Sequence, residues 1–397
     1  MAIRHRARGG GFLRFLRSGM RAGMIGVMLC VLLVGQLGVR ADDLLPRLSA
    51  PDPGVVFSFS EGRAVIQLGG KYGYIDRTGA TVIPINYDEA LEFLDGLAPV
   101  RQGDKWGVID PTGKVIVPLM YDDLSYFGSG LAPAKMGDKY GFIDVNNDVV
   151  IPFTYNDARG FGEYPAASAT RRPTPGPNLA PVKVGDQWGY IDRMGNMVIA
   201  PQFKTAYRFG AEGVAPVKVD DKWGAVDATG TLVVPAMFDG MADTAYGGLI
   251  AIQQNDMLGF ADIKTGQVVI EPQYDSVGEF ANGDLTYVGS NGSFGVIDKT
   301  GKVVVPLRFQ GLDNFSADGL ALAQLGDKWG FIDRTGAFAI PAQYEDAFAY
   351  TDGLARIEVA KKVGFIDAKG NVVIAPRFAE DPNTPACFRS TNECNEA

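Results

Sequence analysis

The chain has 397 residues, with 37 Lys and Arg against 46 Asp and Glu, a net charge of −9. That balance argues against nucleic acid as a partner, because phosphates demand a basic surface. One histidine and three cysteines leave little for imidazole catalysis or for a four-ligand zinc site.

Residues 1–41 carry seven arginines and no acid, with an apolar run from Met24 to Leu37 followed by Val39-Arg40-Ala41. Small residues at those two positions predict a secretory signal cleaved after Ala41, with the protein exported to the periplasm or secreted. No adjacent arginine pair precedes the apolar run, which favours the general route over the twin-arginine one. Leu29 before Cys30 is too large for a lipoprotein site. An uncleaved anchor is the alternative, although fourteen apolar residues are short for a span. Cleavage removes His5 and leaves 30 basic against 46 acidic residues, near −16, which favours a soluble monomer through self-repulsion.

Residues 42–54 are a short lead-in. From 55 to about 380 the chain repeats one sentence nine times, clearest at Gly326-Asp327-Lys328-Trp329-Gly330-Phe331-Ile332-Asp333. The glycine after the ring recurs at Gly73, Gly107, Gly141, Gly189, Gly224, Gly259, Gly295, Gly330 and Gly364. A fixed period of about 35 residues means one supersecondary unit in tandem. Each unit opens on an apolar run such as Gly96-Leu97-Ala98-Pro99-Val100 and turns at a Gly, Asn or Asp pair such as Gly103-Asp104. Such pairs suit a two-residue hairpin. The ring-Gly-x-Ile-Asp strand then ends at Asp-x-Thr-Gly, a type I turn signature. A third strand ends at a proline, as in Val303-Val304-Val305-Pro306, which belongs at a strand end, bulge or edge. A ring, often with an acid, closes the unit: Tyr87-Asp88, Tyr121-Asp122, Tyr344-Glu345. Three antiparallel strands per unit read as all-β.

The ring position holds Tyr72, Trp106, Tyr140, Trp188, Trp223, Phe294 and Trp329, but Leu258 and Val363 in two units. Apolar drift suits a core better than a sugar-stacking shelf. The rings are expected to stack from unit to unit, covering the bare backbone of glycines such as Gly73, Gly107 and Gly330. Nine aspartates (Asp76, Asp110, Asp144, Asp192, Asp227, Asp262, Asp298, Asp333 and Asp367) recur singly. They read as turn caps rather than a calcium array, which needs six to eight oxygens.

One interval stretches to 48 residues, marking an insertion at 162–177 rich in Pro, Gly and Ala. Such composition cannot bury a core, and insertions in repeat arrays map to loops, often on a binding face. Tyr164, Arg171 and Arg172 make it a candidate interaction loop on an acidic protein. Unit six lacks the ring and has one extra turn residue. In the tail, 381–397, Cys387 and Cys394 are the only thiols left after processing. Export to an oxidising compartment predicts a disulfide between them.

With these residues in view, the chain resembles the bacterial WG-repeat, or KWG-repeat, family. The carriers are Gly-Asp-Lys-Trp-Gly at 103–107 and 326–330, Asp-Lys-Trp-Gly at 221–224, and the Ile-Asp and Val/Ile-Pro-x-x-Tyr/Phe that follow. The resemblance implies β-rich repeats, no assigned catalysis and a role in binding other molecules. It transfers no functional residues.

Nine units exceed the usual four to eight propeller blades, so the expected architecture is an open, superhelically stacked β array, with a closed β-propeller as the alternative. The function read from the sequence is a non-catalytic exported module that binds a protein or an envelope component. Carbohydrate or peptidoglycan binding through exposed rings is the alternative. No catalytic, metal or cofactor residue is identified. Paired carboxylates (Asp88-Glu89, Asp122-Asp123, Glu345-Asp346) recur at one place in the unit, whereas a catalytic pair should occur once.

Overall fold

The second unit shows how the local chemistry builds the fold. Ala98–Gln102 and Lys105–Ile109 form a hairpin in which Gln102 faces Lys105. Its turn begins at Gly103 with φ +61°, a backbone region that glycine enters without penalty. The third strand, Val115–Tyr121, pairs with Lys105–Ile109, but Val108 faces Val117 while Trp106 faces Tyr121. Two residues on one strand thus oppose four on the other, a bulge that bends the edge strand. Pro118 sits in that bulge, where its missing N–H breaks no ladder bond.

The glycine after the ring exists for this bulge. A Cβ on Gly107 would lie 2.6 Å from the Val117 carbonyl oxygen and 2.9 Å from the Leu119 nitrogen. The same backbone wall stands over Gly141, Gly189 and Gly224. The expectation that a ring covers these glycines is therefore corrected: the bent edge strand covers them.

The structure, a computed structural model, describes residues 55–162 and 176–379, with a two-residue strand at Leu33–Val34. These residues form nine four-stranded antiparallel sheets, at 55–87, 89–121, 123–155, 157–203, 205–238, 240–274, 276–309, 311–344 and 346–379. Strand order in every sheet follows the chain, and no helix occurs among the described residues. Leu33–Val34 adds a fifth strand to the edge of the ninth sheet.

The three-stranded unit is one strand short. From the second sheet on, a two-residue strand such as Glu89–Ala90 or Asp123–Leu124 precedes each hairpin. It follows the preceding edge strand after a single residue. Two residues are too few to display a period of two, so the strand was hidden in the ring-acid closing signal.

The sheets are blades of a closed ring, a nine-bladed β-propeller, and the open array is overturned. Between neighbours, the ring after the conserved glycine packs on an aromatic from the next blade's first loop. Tyr74–Phe93, Phe142–Phe161, Tyr190–Phe209, Phe260–Phe280 and Phe331–Tyr350 have centroids 4.8–5.2 Å apart. Phe365 of the ninth blade makes the same contact with Phe59 of the first, at 5.5 Å. Ala64, Ile66 and Ile75 of the first blade share one buried cluster with Leu354, Val363 and Ile374 of the ninth. Blade count alone had argued against closure, but each joint buries a flat apolar face that an open array would leave bare at both ends. The aromatic ladder also runs through the ring after the glycine, not the ring before it.

Candidate functional site

Each ring before the glycine lies in the middle of a row that crosses its blade. In the second blade, Glu89 faces Arg101, Arg101 faces Trp106, and Trp106 faces Tyr121. Cross-strand neighbours on one face sit close enough to interact. Arg101 bonds Glu89 at 2.9 Å and lies 6.0 Å from the Trp106 centroid. The third blade repeats the row as Asp123, Lys135, Tyr140 and Tyr155. The fourth has Asp157, Lys183, Trp188 and Phe203. In the fifth, Thr205 replaces the acid beside Lys218 and Trp223.

The charge then fades. The sixth to eighth blades place Gln253, Gly289 and Gln324 where the others hold a base. The ninth sets Glu358 opposite Asp346. A framework with nine-fold repetition thus carries its charged rows on one arc.

On that arc the carboxyls interact across blades. Burial raises the Asp123 carboxyl above the usual range, against a 2.6 Å hydrogen bond donated by the Tyr140 hydroxyl, and Glu89 adds to the rise. Asp157 is raised by burial too, with Asp123 contributing. Burial, then the bond to Asp123, hold the Tyr140 phenol far above its ordinary range.

Arg159 lies beside this group, on the first loop of the fourth blade. Its guanidinium carbon is 4.9 Å from the Trp188 centroid and 4.6 Å from that of Tyr207. Tyr207 in turn stacks on Trp223 at 5.3 Å and 19°. Four side chains thus form one stack, Trp188, Arg159, Tyr207 and Trp223, across the joint between the fourth and fifth blades. Burial lowers the pKa of Arg159.

Trp188, Trp223 and Trp329 are 5, 5 and 4% exposed. Tyr140 and Phe294 are buried, as are Leu258 and Val363, which replace the ring. Tyr72 and Trp106 are half-buried. These positions are packed within and between blades rather than set out as a shelf.

The closing acids have a joining role. Asp88 accepts a bond from the Gly103 amide at 2.7 Å and an ion pair from Lys71 at 2.5 Å, tying one blade's turn to the next. Asp122 repeats this with Gly137 and Lys105, and Asp239 with Asn255 and Lys222. At the fifth blade the polarity is reversed: Lys204 takes the acid's place and reaches Asp221 at 3.1 Å. The recurrent aspartates cap turns. Asp110 Oδ1 accepts from the Thr112 hydroxyl and from the Thr112 and Lys114 amides at 2.6–3.1 Å. The Thr112 bond leads in holding that carboxyl below its ordinary range. No group of three or more His, Cys, Asp or Glu side chains is placed to hold a metal ion among the described residues.

Tyr164, Arg171 and Arg172, the pair Cys387 and Cys394, and the signal cleavage point lie outside the described residues. The sequence reading missed Arg159 and the loop aromatics Phe93, Phe161, Phe209, Phe280 and Phe315. The aromatics were legible, since each stands 19 or 20 residues after the residue that follows a repeat glycine. Arg159 gave no signal, because its unit-mates are Leu91, Ser125 and Tyr207.

One further surface repeats around the ring. The edge strands begin with exposed apolar residues: Val115 44%, Val149 50%, Met197 42%, Leu232 43%, Val303 46% and Val372 57%. Their own partner-free edges run up to the proline bulge.

The profile of the WG containing repeat matches ten segments, at 55–72, 72–106, 106–140, 140–164, 188–223, 223–257, 259–292, 294–329, 329–362 and 364–380. The chain belongs to the WG-repeat family. Segments such as 72–106 and 106–140 run from ring to ring, so each supplies two strands to one blade and two to the next. Comparison with curated proteins found no match.

Among solved structures, the chain is similar to a eukaryotic initiation factor, at TM-score 0.52 and 13% identity, over 74% of this WG-repeat chain and 88% of that one. It is also similar to the dihydro-heme d1 dehydrogenase NirN, at TM-score 0.40 and 14% identity over 75% and 76%. A third is PorZ, a surface component of the type-IX secretion system of Porphyromonas gingivalis, at TM-score 0.31 and 11% identity over 85% and 52%. The first of these likenesses is one of fold. No helix among the described residues is long and apolar enough to cross a membrane.

Proposed function

We propose that this WG-repeat propeller is a non-catalytic binding module, exported from the cell, that engages a protein or an envelope component with its rim. The supporting observation is the apolar belt on the edge strands. Single exposed valines are ordinary on a protein surface, but apolar residues repeated at one position around a ring make an interaction surface. The recurrent acids support the same reading, since they serve turns and joints. Replacing Val149, Val150, Val303 and Val304 together by Thr keeps their shape and removes their apolar surface. Capture of envelope components by the quadruple variant should fall well below that of the wild type at an unchanged melting temperature. Equal capture of the same components by both proteins sinks the belt as the binding surface.

Export is carried by the arginine-rich start and the small residues at 39–41. N-terminal sequencing from the native host should find Asp42 first, and intact mass should rise by two hydrogens on reduction of Cys387–Cys394. A chain that starts at Met1 with two free thiols overturns this part and leaves the rim reading standing.

A further inference from the structure

The stack at the joint of the fourth and fifth blades has a feature that packing does not require. An arginine clamped between two rings presents its N–H edge in a fixed plane, and that edge is a fork matched to two oxygens. The Arg159 guanidinium carbon lies over two rings, 4.9 Å from the Trp188 centroid and 4.6 Å from that of Tyr207. Among the described residues its guanidinium has no ion pair or acceptor, whereas Arg101, at the row position of the second blade, is paired with Glu89 at 2.9 Å. Asp157 acts on Arg159 through its field but lies beyond ion-pair distance. Arg208 also lies close enough for its like charge to act on Arg159. Two arginines brought together across a joint, one with its donors unpaired, are costly in a free protein. The cost falls when an anion occupies the fork.

We propose that the Arg159 slot between the fourth and fifth blades is an anion site, which takes a carboxylate or phosphate group through two parallel N–H···O bonds. Trp188 and Tyr207 hold the fork in place, and the charge of Arg208 adds attraction. In the second to fourth blades the row bases face acids, as Arg101 faces Glu89, whereas among the described residues the Arg159 guanidinium has no acid partner on this acidic protein. The site stands apart from the apolar belt and does not depend on it.

The test titrates the purified protein with citrate and, separately, with inorganic phosphate at low ionic strength, reading heat and tryptophan emission. Saturable one-to-one binding of at least one probe is expected, and the stronger of the two names the group. Arg159→Lys keeps the charge and loses the fork, so the affinity should drop ~tenfold or more. Arg208→Gln removes only the added charge and keeps the Arg159 fork, so it should weaken binding by a smaller factor, which keeps the proposal testable if the lysine variant does not fold. Unsaturable responses to both probes, or equal affinity in wild type and both variants, overturns the site.

Discussion

The seam between the ninth and first blades and the joint between the first and second differ in one respect. At the internal joint, Tyr87 ends an edge strand and Glu89 begins the next blade, so the chain crosses through Asp88 alone. Asp88 then pins Lys71 and the Gly103 amide, and the Tyr74 ring packs on Phe93 at 4.8 Å. At the seam the ninth blade takes its outermost strand, Leu33–Val34, from ahead of the first blade in the chain. The described contacts are side-chain ones: Phe365 on Phe59, Asp352 Oδ2 accepting from the Gly62 amide at 2.9 Å, and Arg77 paired with Asp352 at 2.5 Å. Arg77 also reaches the Asp352 carbonyl, much as Arg334 of the eighth blade reaches the Asn282 carbonyl of the seventh. The seam therefore has the ring-on-ring packing of an internal joint with no single-residue crossover like Asp88. Blade contact is a property of the faces, since the same ring contact recurs at the seam and at the internal joint.

The largest test removes the same ring from both kinds of joint. Phe365→Ala at the seam and Phe260→Ala between the sixth and seventh blades should each cost about 3–5 kcal/mol, the range for buried ring truncation. Trp223→Ala, within the stacked fifth blade, should cost as much. Hydrogen exchange distinguishes them: Phe365→Ala should expose amides of the first and ninth blades together, because its ring packs on Phe59 and lies in the buried cluster the two blades share. If Phe365→Ala instead loosens all nine blades equally, the seam is not a separable joint.

The first internal joint carries a pH-sensitive group. Glu92 is enclosed, one of its carboxyl oxygens has no partner, and burial raises its pKa from 4.5 to about 7. A raised carboxyl favours the protonated fold, so stability should decline from pH 4.5 to about 7 and level off above. Glu92→Gln should remove that slope and gain about 2 kcal/mol at pH 8. Urea melts of the two proteins at pH 5 and pH 8 measure it, and parallel pH profiles refute it.

A smaller gain is expected beside the seam. Ala360 and Lys361 turn the ninth blade's hairpin with φ of +52° and +58°, where the seventh uses Asn291 and Gly292. Left-handed backbone costs a side chain with a Cβ about 1–2 kcal/mol. The double change Ala360→Asn, Lys361→Gly should raise stability by about that much while the Lys361 amide bond to Glu345 persists. An unchanged or lower melting temperature counts against it. The smallest effect belongs to Asp352→Asn, since its ion pair with Arg77 is part-exposed and such pairs give about 0–1 kcal/mol. The loss should shrink with added salt, and a salt-independent loss would place the stabilisation in the amide bond to Gly62.

The sequence by itself determined the unit: its period, its hairpin turns, the Asp-capped turns and the burial of the Trp and Tyr positions. These are local matters of turn chemistry and side-chain type, repeated nine times, so chance resemblance averages out. It held the proline bulge as well, since Pro118 and its equivalents have few other places in a sheet. Tertiary structure alone decided three things. Glycines such as Gly107 are demanded by the carbonyl of a bent neighbouring strand, which no local pattern records. Closure follows from whether the summed rotation of nine joints returns Phe365 to Phe59, and small angles at each joint are not written in any one unit. Arg159 found its rings because a residue with no counterpart in other units met Trp188 on its own blade and Tyr207 of the next. That meeting exists only once the two blades are packed together.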